Sequence, residues 1–222
     1  MIRTLIKITV LFTLLAGLYA GTYEYEYHLP APRIEQVRGY SVLDIEGCAQ
    51  SGIPGEPLLP KQPVTILLPP GETLRSVEIV KEKLVRYPLM LPLLPAQADR
   101  PYSERKAAQG FVKNEAVYGS VKYQRETIRT KVEWFRGAGV LSGAIDPAEY
   151  YPLSGNVDVA QKLILRVITE PKTGAAPGMP QRLDLLAGVL QNPEMLGSYP
   201  APSEDPRERL LIVTSNAFAA AF

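Results

Sequence analysis

The chain has 222 residues, enough for one or two domains, and 46% of them are hydrophobic, enough for an ordinary core. The formal net charge is +1, so nothing in bulk electrostatics draws the chain to nucleic acid or to an anionic membrane. One histidine and one cysteine leave little material for a metal site or a catalytic dyad, and 21 prolines with 17 glycines argue against long helices.

Residues 1–20 read as an export signal. Arg3 and Lys7 give a positive start, Ile8–Leu15 an apolar stretch, and small residues follow with Ala20 before Gly21 as the cleavage point. Leu18 is large for its position, so cleavage after Gly17 is the alternative. The apolar run is short for a membrane span, and no cysteine follows it, so a lipoprotein signal is excluded. A retained membrane anchor is the competing reading; the mature chain is expected to be exported and secreted.

Thr22–His28 (TYEYEYH) alternates strictly, with Tyr23, Tyr25 and Tyr27 on one face and Glu24 and Glu26 on the other. This is the pattern of a half-buried strand. Residues 40–46 (YSVLDIE) form a second strand candidate, stopped by Gly47. Six prolines then fall between Gly52 and Gly71. Proline fixes φ and removes a backbone donor, so Gly52–Pro63 is expected to run extended over the surface, neither helix nor central strand, anchored by Leu58 and Leu59. Val64–Leu68 is a short β run ended by the Pro69-Pro70-Gly71 turn signal, and Leu74–Val80 is a second. Leu84–Tyr87 either continues that strand or forms a short neighbour.

From Pro88 to Phe111 an apolar, proline-broken LMLPLLP gives way to the basic ADRPYSERKAAQG. This reads as a long excursion with one helical turn at Ser103–Gln109, and such loops are functional or disordered. Strand candidates return at Ala116–Tyr118, Ile128–Arg136 and Ala138–Ile145, followed by a proline-bounded bend, Pro147–Pro152. After a Leu153–Asn156 turn comes the strongest strand, Val157–Thr169, with Val157, Val159, Leu163, Leu165 and Val167 on one face. Ile164 and Ile168 on the other face suggest cover on both sides. Trp134 and Phe135 read as core packing rather than a ligand platform.

Many moderate strands joined by Gly/Pro turns indicate an all-β fold, an antiparallel sandwich over residues 21–170. At about 150 residues such a domain buries roughly 70% of its unfolded surface and can fold alone. Residues 171–209 read as a linker with a short helix, Arg182–Gln191, whose Leu183, Leu186, Val189 and Leu190 keep helical spacing. Leu210–Val213 (LLIV) then looks like a strand buried on both faces, and Thr214 or Ser215 caps a helix from Asn216. That is the first strand–helix step of an α/β domain continuing past Phe222. An edge strand and helix on the sandwich is the alternative.

The order of these parts resembles the propeptide of gingipain-type cysteine peptidases. Gly55, Pro57, Leu59 and Pro60 match its opening segment, with Pro69 or Pro70 and Gly71 following. The NEAVYGS segment from Asn114, the Arg136-Gly137 step and the block Ile145–Val167 (IDPAEYYPLSGNVDVAQKLILRV) are similar to later family features. Leu210–Phe222 resembles the start of the family's catalytic domain. The resemblance implies a β-sandwich prodomain that assists folding and keeps its own cysteine endopeptidase latent, with that catalytic domain as partner. The family's catalytic histidine and cysteine lie deeper in the α/β domain and match no position here, so this chain is expected to have no peptidase activity.

Two groups of residues carry candidate roles. In the family, a basic side chain of the prodomain can enter the active-site cleft in the manner of substrate. Arg100, Arg105 and Lys106 lie on the proline-flanked excursion and suit that task; a solvated loop is the plain alternative. Arg207 and Arg209 sit in a proline-rich stretch and offer maturation sites. His28 and Cys48 lack an orienting group and an oxyanion donor, so Cys48 reads as a buried or unpaired thiol, or one paired with a later cysteine. No metal and no cofactor is expected. The competing function is a non-enzymatic extracellular adhesion or carbohydrate-binding module.

Overall fold

The computed structural model describes residues 21–98, 111–123, 128–172 and 183–200. Ten strands dominate: β1 Thr22–His28, β2 Arg33–Val37, β3 Tyr40–Asp44, β4 Ala49–Ser51, β5 Leu59–Leu67, β6 Glu72–Pro88, β7 Ile128–Phe135, β8 Ala138–Ile145, β9 Ala148–Tyr151 and β10 Asn156–Pro171. One helical turn, α1, spans Glu115–Tyr118.

β10 is the spine of the first sheet. Its full length pairs antiparallel with β6 on one side. On the other side it pairs with β9 through Asn156–Val159 and with β1 through Lys162–Ile168. The second sheet runs β4-β5-β8-β7, and β2 and β3 form a separate hairpin. Val157, Val159, Leu163, Leu165 and Val167 are fully buried and meet Val64, Ile66, Leu68, Leu141 and Ile145 of the facing sheet in one cluster. Every pairing of the named strands is antiparallel, so the fold is the expected all-β sandwich. The tyrosine face of β1 packs against this core while its glutamates stay exposed. Leu84–Tyr87 continues the first strand run, since β6 is a single strand through Pro88. The outer face of β10 is only half-buried, not covered.

Two hairpins share one turn chemistry. Arg38-Gly39 and Arg136-Gly137 each take positive φ at both residues, the two-residue form whose twist suits flanking antiparallel strands.

Several local expectations are corrected. The proline-rich Leu59–Pro63 is not a surface strap but the first half of β5, with Leu59, Lys61 and Gln62 buried. β5 tolerates its prolines because its halves use different partners: residues 59–61 pair with β4, and residues 62–67 with β8. Backbone groups of Pro63, Thr65 and Leu67 point away from β8 toward residues 191–192, so the missing Pro63 N–H removes no β8 bond. Ala116–Tyr118 is not a strand but part of α1, because the Asn114 side chain accepts the Val117 N–H and caps a turn there. The Pro147–Pro152 bend is strand β9, whose residues Ala148–Tyr151 register with β10. The Arg182–Gln191 helix reduces to a 3₁₀ turn at Leu183–Leu186, and Val189 is exposed. Trp134 is 44% exposed rather than core.

Residues 183–199, expected within the linker, pack on the second sheet. Leu183, Leu190 and Tyr199 are buried against Leu67, Ala138 and Val140. The N-terminal signal with Ala20, the Ser103–Gln109 turn and the LLIV segment lie outside the described residues.

Among the described glycines the closest approach is at Gly143 on β8, where an added Cβ would collide with the Arg129 carbonyl oxygen and press on Thr130 of β7. Gly143→Ala is expected to lower stability by about 1–3 kcal/mol through forced separation of β7 and β8. Urea unfolding checks this; an unchanged midpoint would mean the strands have room to give.

Candidate functional site at the base of the basic segment

The residues leading out of β6 are held on both sides. Ser41 of β3 donates its N–H to Pro92 O (2.7 Å), accepts from Leu94 N–H (2.8 Å), and donates its hydroxyl to Leu91 O (2.9 Å). On the opposite side Leu58 N–H bonds Leu94 O, Ala96 N–H bonds Glu56 O, and Gly55 N–H bonds Ala96 O, at 2.7–2.8 Å. The Tyr118 hydroxyl donates to Leu93 O (2.7 Å). LMLPLLP is therefore not part of the excursion; it is an extended filler segment whose Leu93 is fully buried. Its prolines suit that role, since an irregular segment bonded only at intervals loses little by lacking N–H donors.

The segment ends in a clamp. The Gln97 side-chain amide donates to Val112 O (2.8 Å), and its oxygen accepts the Val112 N–H (3.0 Å). The same amide nitrogen reaches Pro95 O and Ala96 O, which fixes the side chain to its own turn. Asn114 N–H bonds Gly55 O (2.8 Å), and Gly55 has φ +88° with Val112 packed over it. A side chain at position 55 would be strained by that φ and crowded by Val112, which is the physical reason for glycine in the family-like opening segment.

This clamp brings residues 97 and 112 side by side, so the stretch between them starts and finishes at one place on the sandwich. Arg100, Arg105 and Lys106 belong to that stretch and lie outside the described residues. Around the clamp the surface is apolar and open: Ile53, Phe111 and Val112 are each 41–49% exposed, and the Phe111 ring leans on Tyr40 at 5.4 Å. Lys113 is ion-paired with Glu115 (2.8 Å), which holds its ammonium above the ordinary lysine range. Nothing in the sequence marked Gln97. It stands in no motif, and only the pairing of its amide with a backbone fifteen residues on gives it a role.

His28 and Cys48 do not meet as a catalytic pair. His28 ends β1, exposed beside Glu26. Cys48 precedes β4 and points its thiol at the Gln62 amide oxygen (3.9 Å) on the neighbouring β5. Trp134 is no open platform, because the Lys172 ammonium sits 3.5 Å from its ring centroid. Among the described residues no group of three or more His, Cys, Asp or Glu could hold a metal ion, and no helix is long and apolar enough to cross a membrane. Arg207 and Arg209 lie outside the described residues.

No protein-family model and no curated protein matches the sequence. Solved structures do. A chain from work on the zymogenic latency of gingipain K from Porphyromonas gingivalis aligns with TM-score 0.58 at 20% identity, over 68% of this chain and 88% of that one. A chain of the complex of Porphyromonas gingivalis RgpB pro- and mature domains aligns with TM-score 0.60 at 12% identity, over 80% and 95%. The fold is that of a gingipain-type propeptide. On this fold the Gln97–Val112 clamp joins residues 97 and 112, with the exposed Phe111 and Val112 beside it.

Burial, helped by the Asp44 carboxylate, pushes the Cys48 thiol up to about 11. At pH 8 the folded protein should then carry about a hundredfold less thiolate than an ordinary cysteine. Alkylation by iodoacetamide is expected to run about a hundredfold slower in the native chain than in urea. Equal rates would show that the thiol is neither shielded nor perturbed.

Proposed function

We propose that this chain is the secreted propeptide of a gingipain-type cysteine endopeptidase, acting as a folding aid and as the inhibitor that keeps its own catalytic domain latent. In this reading residues 1–20 direct export and are removed after Ala20, and the sandwich is the inhibitory body. Residues 210–222 open the catalytic domain, which supplies the peptidase activity that this chain lacks. The observation that carries the reading is the clamp. A rigid sandwich closes a basic stretch at its base with a side-chain amide, which limits the ordering entropy that the stretch loses when it enters a cleft. The two structural neighbours support it by their subjects, zymogenic latency and a complex between pro- and mature domains.

The mechanism follows from chemistry at the cleft. A guanidinium or ammonium group from Arg100, Arg105 or Lys106 meets a carboxylate in the peptidase specificity pocket, giving a charge-assisted contact. Exposed Phe111, Val112 and Ile53 seal the rim against the catalytic domain and exclude water.

The test is inhibition in trans of the mature peptidase released from the full-length precursor. A lost charged contact is worth about 1.5–3 kcal/mol, so alanine at Arg100, Arg105 and Lys106 together should raise the inhibition constant about 10- to 100-fold. An unchanged constant removes the basic stretch from the mechanism. Wild-type chain that fails to inhibit at all removes the function.

Maturation is assigned to Arg207 or Arg209. N-terminal sequencing of the processed peptidase should then begin at Glu208 or Leu210; a start elsewhere refutes that assignment.

A further inference from the structure

The outer side of β5 is closed by the chain's own tail. β4 covers residues 59–61, and next to it Gln191 and Asn192 take the place of a strand. Gln191 N–H bonds Thr65 O (2.9 Å), its side-chain oxygen accepts the Thr65 N–H (3.2 Å), and its side-chain nitrogen donates to Pro63 O (2.9 Å). The Asn192 side chain forms a matched pair with Leu67, accepting its N–H and donating to its carbonyl, both at 2.9 Å. Asn192 is 1% exposed, and its amide nitrogen also reaches the Tyr25 hydroxyl (3.1 Å) of the other sheet. Tyr27 donates to Gln191 (2.8 Å), and Tyr199 donates to Leu68 O (2.6 Å). Leu183, Leu190 and Tyr199 fill the apolar seat beneath.

These contacts tie the two sheets together at one flank through non-covalent bonds alone. We propose that residues 183–199 are a self-bound ligand of the β5 edge, which makes cuts on its two sides inequivalent. A cut within 173–182 leaves the tail seated, so whatever is joined to Tyr199 stays attached to the sandwich. A cut beyond Pro200 removes the covalent tie to the seated segment, so the following polypeptide is held only by contacts of its own. The partner that the β5 edge recognises is a segment of short turns offering a buried carboxamide between two apolar anchors. Any carboxylate in that slot would face the Leu67 carbonyl and be rejected.

This deepens the latency reading, because it says which cleavages release and which are silent, yet its test needs no peptidase. A site-specific protease sequence is inserted between Gly174 and Ala175 of the full chain, and a second protein carries the same sequence between Ser203 and Glu204. After cleavage at the first site the two pieces should co-elute on gel filtration at micromolar concentration, with the Thr65 and Leu67 amides still protected from hydrogen exchange. After cleavage at the second site the C-terminal piece should separate. Asn192→Asp should speed loss of the tail from the first cut protein at least about tenfold, a coupling of about 1.4 kcal/mol. Tyr25→Phe, which removes one acceptor of the Asn192 amide, should do so more mildly. Separation of the pieces after the first cut, or an Asn192→Asp tail held as firmly as the native one, overturns the proposal.

Discussion

The inward row of β10 is the constraint on which the rest of the structure depends. Val157, Val159, Leu163, Leu165 and Val167 recur at period two and are buried to within 1%. Each such side chain contributes about 1.5–3 kcal/mol when taken out of water, and a slip of one residue would turn the whole row outward. Register is thereby set for three partners at once, since β1, β6 and β9 all pair with this strand. The tyrosines of β1 can reach Gln191 and Asn192 only because β10 fixes where β1 lies. Burial in the centre thus determines polar contacts at the flank.

Charge on this sandwich serves the outer faces. Glu24 with Arg166, Glu26 with Lys162, and Asp158 with Arg86 are cross-strand pairs on β1, β10 and β6. The hydrogen bond from Arg86 lowers the Asp158 carboxyl, and that from Lys162 lowers Glu26. Such exposed pairs add little stability at ordinary ionic strength. One pair differs: Lys61 with Asp146 is buried, pinning the proline-rich half of β5 to the β8–β9 connection. Removing a single partner there would leave an uncompensated buried charge.

The sequence was legible where one physical rule acted alone. Strict alternation marked β1 and β10. It was less legible where rules competed. Proline argues against a central strand across Gly52–Pro63, but the prohibition applies only to a residue that needs its N–H for a ladder, and β5 changes partners along its length. β2 was missed because all five of its residues are exposed, so no apolar face betrays it. Ala116–Tyr118 has β-type residues, yet the Asn114 cap decides the local geometry. The tail kept a helical spacing of leucines that a 3₁₀ turn and two further turns satisfy equally well, with Leu183 and Leu190 buried and Val189 not. At the candidate site the basic residues were visible as residue types, whereas Gln97 was invisible, because its importance comes from a backbone far away in sequence.

Gln97 and Asn192 solve the same problem in the same way. Each places a carboxamide where a strand would otherwise have to run, and each gives one donor and one acceptor to a single residue's backbone, Val112 in one case and Leu67 in the other. A carboxamide is the side-chain group that can copy a peptide unit, offering both N–H and C=O in one plane. The copy spans one residue rather than five, so it holds without the cooperativity of a ladder and can be released without unravelling the sheet behind it. The two copies sit at separate places on the sandwich: one joins residues 97 and 112, and the other seats residues 183–199 against β5.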